Sequence, residues 1–241
     1  MIELVGFDAD DTLWHSQNHF DAAQAEFEAI LGPYLDLSDR QAHDRLAAVE
    51  RANVRLFGYG AKGMTLSMIE TAIELTDGRI SGRDVGRIVE LGKAVLEHKV
   101  EVMPGAREAV GAVAARHGVV LITKGDLFHQ ERKVAESGLA GLFHRIEIVS
   151  EKDMPTYRRV LAEFDLPPER FVMVGNSLRS DIEPVLAIGG SAVHVPYASI
   201  WVLEAEHAVD MASTRLLTVE RLAEVPGAIA RLAERLVEEP A

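Results

Sequence analysis

Five short apolar runs, each broken off by a polar or turn-forming residue, limit the folds open to this chain. They are residues 2–7 before Asp8, 119–122 before Thr123, 146–149 before Ser150, 171–174 before Gly175 and 192–195 before Pro196. Such near-continuous runs suit strands buried on both faces, as in a parallel sheet. Helical stretches separate the last four. Pro104-Gly105 opens one with Ala109, Val110, Val113 and Ala114 on a face, closed by Gly118. Tyr157, Val160, Leu161 and Phe164 mark another, ended by Pro167-Pro168, and Gly189-Gly190 closes one that begins near Asp181. Strand–helix alternation predicts a doubly wound, mainly parallel α/β sheet, in which ligands collect at the carboxyl ends of the strands. A last apolar helix with Leu222, Ile229, Leu232 and Leu236 packs on that core.

Residues 17–98 have a different texture, with helical stripes and no strand signal. The stripes are Phe20, Ala23, Phe27, Ile30 and Leu31; Ala42, Leu46, Val49 and Leu56; Leu66, Ile69 and Ile73; and Val85, Ile88, Val89 and Val95. Ser38-Asp39-Arg40-Gln41 and Ser81-Gly82-Arg83-Asp84 read as helix caps. A helical domain over 17–98, inserted into a core of 1–16 and 99–241, is the expected organisation, with hinges near 14–17 and 98–103.

The 48% hydrophobic and 26% charged residues support a packed core and exclude general disorder. A net charge of −13 argues against a nucleic-acid partner, yet a cation and a few lysines can still gather a small anion. Cysteine is absent, which excludes disulfides and cysteine–metal sites. The opening residues lack the basic and long apolar regions of a signal peptide, and no run nears the ~18–20 apolar residues of a membrane span. The expectation is a soluble cytoplasmic protein with no membrane partner.

The polar residues at the strand ends carry the chemistry. Asp8 and Asp10, in Phe7-Asp8-Ala9-Asp10-Asp11-Thr12, are close enough to repel unless a cation or a proton intervenes. One can attack while its neighbour moves a proton; alternatively the segment is only a polar turn capped by Asp11 and Thr12. Thr123 and the turn Lys124-Gly125-Asp126 offer a hydroxyl and amides to a phosphate, or form an ordinary turn. Lys152 can neutralise a nucleophile and a phosphoryl group, or simply face solvent. In Gly175-Asn176-Ser177-Leu178-Arg179-Ser180-Asp181, Asn176 and Asp181 offer hard oxygen ligands to Mg2+, unless they only cap a helix. Two aspartates, a threonine, a lysine and an acid at successive strand ends together describe one site.

This combination resembles the haloacid dehalogenase-type (HAD) hydrolase superfamily in its phosphatase branch. The motifs correspond to Asp8-Ala9-Asp10-Asp11-Thr12, Thr123, Lys152 and Gly175-Asn176-(four residues)-Asp181, and the helical insert resembles the C1-type cap. The resemblance implies an HAD-like Rossmannoid core and Mg2+-dependent hydrolysis of a small phosphorylated metabolite. Asp8 is then the nucleophile, Asp10 the acid and base, and Lys152 the neutralising cation. Asp8, the Asp10 backbone carbonyl, Asn176 and Asp181 hold the metal, while Thr123, Lys124 and Gly125 hold phosphate.

Three positions depart from the family pattern. Asp11 stands where Gly is frequent. Lys124 replaces a frequent Asn and adds positive charge near the phosphate. Asn176 replaces a metal-binding Asp and removes a negative charge. A dehalogenase would lack Asp10, a phosphomutase would release an isomer, and a receiver domain would need an Asp where Val149-Ser150 stands. A non-catalytic phosphate-binding protein, suggested by Asn176, would release no phosphate. Within the insert, Tyr59 and Lys62 of the glycine-rich segment 57–63 are candidate substrate contacts, or parts of a plain connector. Arg51 and Arg55 read equally as an exposed face, and Trp14 and His15 as core or as the edge of the entrance.

Overall fold

Strand residues that are apolar on both faces need cover on both sides, and the chain supplies it with helices. A computed structural model describes residues 1–35, 41–199, 201, 204 and 209–238. In chain order the elements are β1 (Leu4–Phe7), α1 (Gln17–Leu31), α2 (Gln41–Phe57), α3 (Ala61–Leu75), α4 (Gly82–Glu97) and α5 (Ala106–Ala114). Then follow β2 (Gly118–Lys124), α6 (Leu127–Ser137), β3 (Arg145–Val149), α7 (Met154–Ala162), β4 (Phe171–Gly175) and α8 (Glu183–Ala187). β5 (Ser191–His194), β6 (Leu216–Thr218) and α9 (Val225–Glu238) complete the described chain. Two compact units result: Met1–His15 with Val100–Lys124 and Gln130–Ala241, and Ser16–Lys99 with Gly125–His129.

In the first unit six strands pair in parallel in the order β3-β2-β1-β4-β5-β6, the doubly wound sheet expected from the alternation. Side chains alternate between its faces. Val119, Leu121, Val172 and Val174 join the cluster of Val110, Ile229 and Leu232 from α5 and α9. Their neighbours Val120, Ile122, Phe171 and Met173 join Tyr157, Val160 and Leu161 of α7. β1 pairs with β2 on one side and β4 on the other, so the strand order reverses there. The carboxyl end of β1 is therefore the switch point at which such sheets open a crevice. β6, only three residues long, had no apolar run to announce it. The helix α5 stops at Ala114, and Gly118 begins β2 rather than closing the helix.

The second unit contains α1 to α4 around Phe27, Ile30, Leu31, Leu46, Met64, Met68, Ile88 and Val95. Ser81 caps α4 through its side chain and the Asp84 amide, as read from the sequence. The segment 36–40, with Ser38, lies outside the described residues. The α3 stripe is a correction, because Leu66 and Ile73 are about half exposed and Ser67, Met68, Thr71 and Ala72 face inward. Small and hydroxyl side chains can turn inward here because Ser67 satisfies itself on the Gly63 carbonyl. Leu56 of α2 is exposed as well. Among the described residues no helix is long and apolar enough to cross a membrane.

Candidate active site

Asp8 stays tied to the sheet, its amide donating to the Val174 carbonyl at 2.9 Å, one step beyond β1. The chain then turns back on itself, with the Leu13 amide on the Ala9 carbonyl and the Asp11 amide on the Trp14 carbonyl, both at 2.7 Å. Asp11 takes φ 61°, the left-handed region in which glycine is at ease and aspartate is among the tolerated exceptions. That backbone demand accounts for Asp11 at a position where the resemblance points to Gly. Trp14 is buried core, its indole N–H turned toward Asp10.

Lys152 lies between two acids. Its ammonium is ion-paired to Asp8 and donates to Asp181 Oδ1 at 2.7 Å, and its side chain is almost wholly buried. Burial pushes the Asp8 carboxyl up to about 7, with Lys152 pulling down and Asp181 adding to the rise. Burial raises Asp181 too, against the same ammonium. Lys152 itself is held above the usual lysine range: burial opposes its charge, but Asp181 and Asp8 outweigh that cost. One ammonium between two buried carboxylates leaves a net negative charge, so the site favours a further cation or a proton.

The loop after β4 supplies Asp181 and Asn176. A wide π-helical turn, Leu178–Ile182, opens with the Ser177 side chain accepting from the Ser180 amide, and it turns Asp181 back toward the strand end. The Ser177 amide donates to Asp181 Oδ2 at 3.0 Å. Thr12 Oγ1 stands 2.8 Å from Asp8 Oδ2 and 3.2 Å from Asn176 Oδ1, and accepts from the Asn176 amide. His194 Nε2–H, at the end of β5, donates to the Asn176 carbonyl and pins the loop from the other side. Two carboxylates and an amide oxygen, all hard donors, thus gather where negative charge is in excess. By its chemistry this donor set, Asp8, Asn176 and Asp181, could hold a hard divalent cation such as Mg2+.

Gly175 makes this packing possible. A Cβ there would lie 2.2 Å from Asp181 Oδ2 and 2.6 Å from Asp181 Cβ, a carboxylate already fixed by Lys152 and Ser177. Gly175→Ala is therefore expected to cost about 1–3 kcal/mol of stability through overpacking. If the donor set holds Mg2+, the substitution should also raise the Mg2+ concentration needed for half-maximal activity. Melting curves and metal titrations check the two effects.

Asp10 is held separately. Lys133 Nζ lies 2.6 Å from both of its oxygens, Trp14 Nε1–H donates to Oδ1 at 2.6 Å and Gln130 Nε2–H to Oδ2 at 3.1 Å. Burial works to raise this carboxyl, but Lys133 and these hydrogen bonds prevail and hold it below its ordinary value. Two neighbouring aspartates are thus driven in opposite directions.

Thr123 is buried beneath Asp10, its hydroxyl accepting from Gln130 Nε2–H at 2.7 Å. Lys124 donates to Ser180 Oγ at 2.8 Å, is ion-paired to Glu204 and stands 3.7 Å from Glu151. Its charge is therefore compensated by two acids, which the sequence reading of an added positive charge did not anticipate. Tyr59, Lys62 and Gly125 belong to the helical unit. There Lys62 pairs with Asp126 at 2.9 Å and lies over the Phe128 ring, 5.4 Å from its centroid, while Tyr59 is half buried. Arg51 and Arg55 are exposed, and His15 Nδ1 meets the Tyr197 hydroxyl at 2.7 Å.

Paired acids and a buried lysine at the switch point of a parallel sheet define a hydrolase-type centre built on carboxylates. The sequence pattern of haloacid dehalogenase-like hydrolases matches residues 2–189, and the chain belongs to that family. A haloacid dehalogenase-like family hydrolase from Xanthomonas campestris is 58% identical over 99% of both chains, with a TM-score of 0.90. A 2-haloacid dehalogenase from Pseudomonas syringae pv. Tomato is 20% identical over 96% of this chain and 99% of its own, at a TM-score of 0.63. A protein described as a predicted phosphoglycolate phosphatase, from Haemophilus somnus, is 16% identical over 95% and 98%, at 0.61. The last two likenesses show the fold alone. Curated proteins returned no match.

Proposed function

We propose that the chain hydrolyses a small-molecule phosphate monoester with Mg2+, through an aspartyl-phosphate on Asp8. The observation that carries this reading is the second carboxylate: Asp10 shares the turn of Asp8 but is held by its own donors, Lys133, Trp14 and Gln130. A halide leaves as an anion and needs no proton, whereas an alcohol does. A carboxyl dedicated to proton transfer suits the phosphate ester.

Asp8 attacks phosphorus and the bond to the ester oxygen breaks. Asp10, ionised in the resting site, takes up the proton of the bound phosphate monoanion and gives it to that oxygen; it then accepts one from the water that attacks the phosphorus of the intermediate and releases it with the product phosphate, returning to its starting state. Lys152 holds Asp8 oriented and offsets charge at the transferring group. Thr123 and the amides beyond it receive phosphoryl oxygens. Bound Mg2+, held by Asp8, the Asp10 carbonyl, Asn176 and Asp181, would draw negative charge from the phosphoryl group.

Phosphate release from a panel of phosphorylated metabolites in Mg2+, lost on adding EDTA, is the expected result. Halide released from a 2-haloacid, with no phosphate from any ester, would sink the proposal. An isomeric product in place of phosphate would convert it to a phosphomutase.

A further inference from the structure

We infer that Lys133 is a positioning residue for proton transfer to the leaving group, acting by clamping the Asp10 carboxylate from α6. The inference rests on the phosphatase reading above.

Lys133 lies in Gln130-Glu131-Arg132-Lys133, a stretch whose pattern reads as a solvated helix face. The structure instead buries it, with the side chain 8% exposed and Nζ 2.6 Å from each Asp10 oxygen. A single nitrogen equidistant from both oxygens lies close to the plane that bisects the carboxylate. Trp14 then takes a further lone pair of Oδ1, and Gln130 one of Oδ2. Every rotation of the Asp10 side chain breaks several of these contacts at once.

Gln130 lies one turn before Lys133 on the same face of α6. Its Nε2 also reaches Thr123 Oγ1 at 2.7 Å and the Lys124 carbonyl at 3.0 Å. One helix face thus ties the proton-transferring carboxylate to the strand end proposed to receive the phosphate. Folding alone does not call for this arrangement. A buried ion pair gains little over apolar packing of the same volume, so a lysine aimed at this carboxylate is better explained by what the carboxylate must do.

The test compares p-nitrophenyl phosphate with phenyl phosphate, which share a ring but differ in how much the leaving oxygen needs a proton. Lys133→Met leaves the partly buried Asp10 without a counter-charge and can fail to fold, so two other variants carry the test. Lys133→Arg keeps the charge but cannot place one nitrogen between both oxygens. The preference for the p-nitrophenyl ester, as a ratio of kcat/KM, is expected to rise about tenfold in it, less than the ~10²–10⁴-fold of a whole general acid because Asp10 itself remains. In an Asp10→Asn background, adding Lys133→Met should change phenyl phosphate turnover by less than about threefold, because coupled residues are not additive.

Equal losses on both esters in Lys133→Arg, or a further large loss in the double variant, would overturn the inference and leave the phosphatase reading intact. Wild-type protein inactive on both esters and on the metabolite panel would overturn the reading itself, and this inference with it.

Discussion

Asp8→Asn is expected to lower turnover by at least about 10⁴-fold, the scale of losing a catalytic nucleophile, while leaving the protein as stable as before or more so. The activity is lost because an amide cannot attack phosphorus, and the stability is kept because burial raises the Asp8 carboxyl to about 7. An amide of the same shape keeps the Thr12 contact and discards a desolvated charge, and Lys152 still has Asp181 as its counter-ion. Because the folded value lies above the ordinary 3.8, the contribution of Asp8 to stability is full below about pH 3.8 and is lost as pH rises through about 7. The asparagine variant has no such loss. Its advantage over wild type should open across that window and reach on the order of 4 kcal/mol above it. Melting curves at a series of pH values, beside a phosphate-release assay, read both effects. A variant that turns over like wild type ends the nucleophile assignment.

Lys152→Met is expected to lower activity by a different route. Kinetically the loss should be about 10²–10³-fold, that of one electrostatic stabiliser. Structurally it strands Asp8 and Asp181 against each other without their shared cation, which should cost about 3–5 kcal/mol. The two variants thus agree in activity and disagree in stability. Combining them tests the cause: Asp8→Asn placed on Lys152→Met should recover part of the lost stability and none of the activity. If the double variant melts below Lys152→Met alone, the ion-pair account is wrong.

Much of this centre could be read from the sequence because the parallel sheet makes its own announcement. The first, second and fourth strands are near-continuous apolar runs, and the residue that breaks the run sits at the crevice, so Asp8, Thr123 and Gly175 stood out. Lys152, Asn176 and Asp181 followed from their distance to those breaks. Gln130 and Lys133 did not stand out, because they sit on a helix among charged neighbours. Their target, Asp10, is 120 and 123 residues away in sequence. Only the placing of β1 beside β2 brings that helix over the first strand's turn, and no local spacing encodes that adjacency. The compensation of Lys124 by Glu204 was hidden for the same reason. In α3 the apolar stripe misled, since a helix can turn methionines, small residues and a self-satisfied serine inward and leave leucine and isoleucine outside.

Of the strands in this sheet β1 is made before the others, yet it lies in the interior with neighbours made far later. Residues 118–124 must emerge before it has one partner, and 171–175 before it has the second. The helices of residues 17–97 are synthesised in the interval, and they have an apolar cluster of their own to fold around. During that interval the segment Leu-Val-Gly-Phe is an unpaired apolar strand, the kind of segment that invites chaperones or aggregation. The Lys152–Asp8 contact closes a span of 144 residues, so a growing chain acquires its chemistry late and all at once. Enzymatic activity during synthesis is accordingly a gauge of finished sheet assembly, and a fragment ending before β4 should show none.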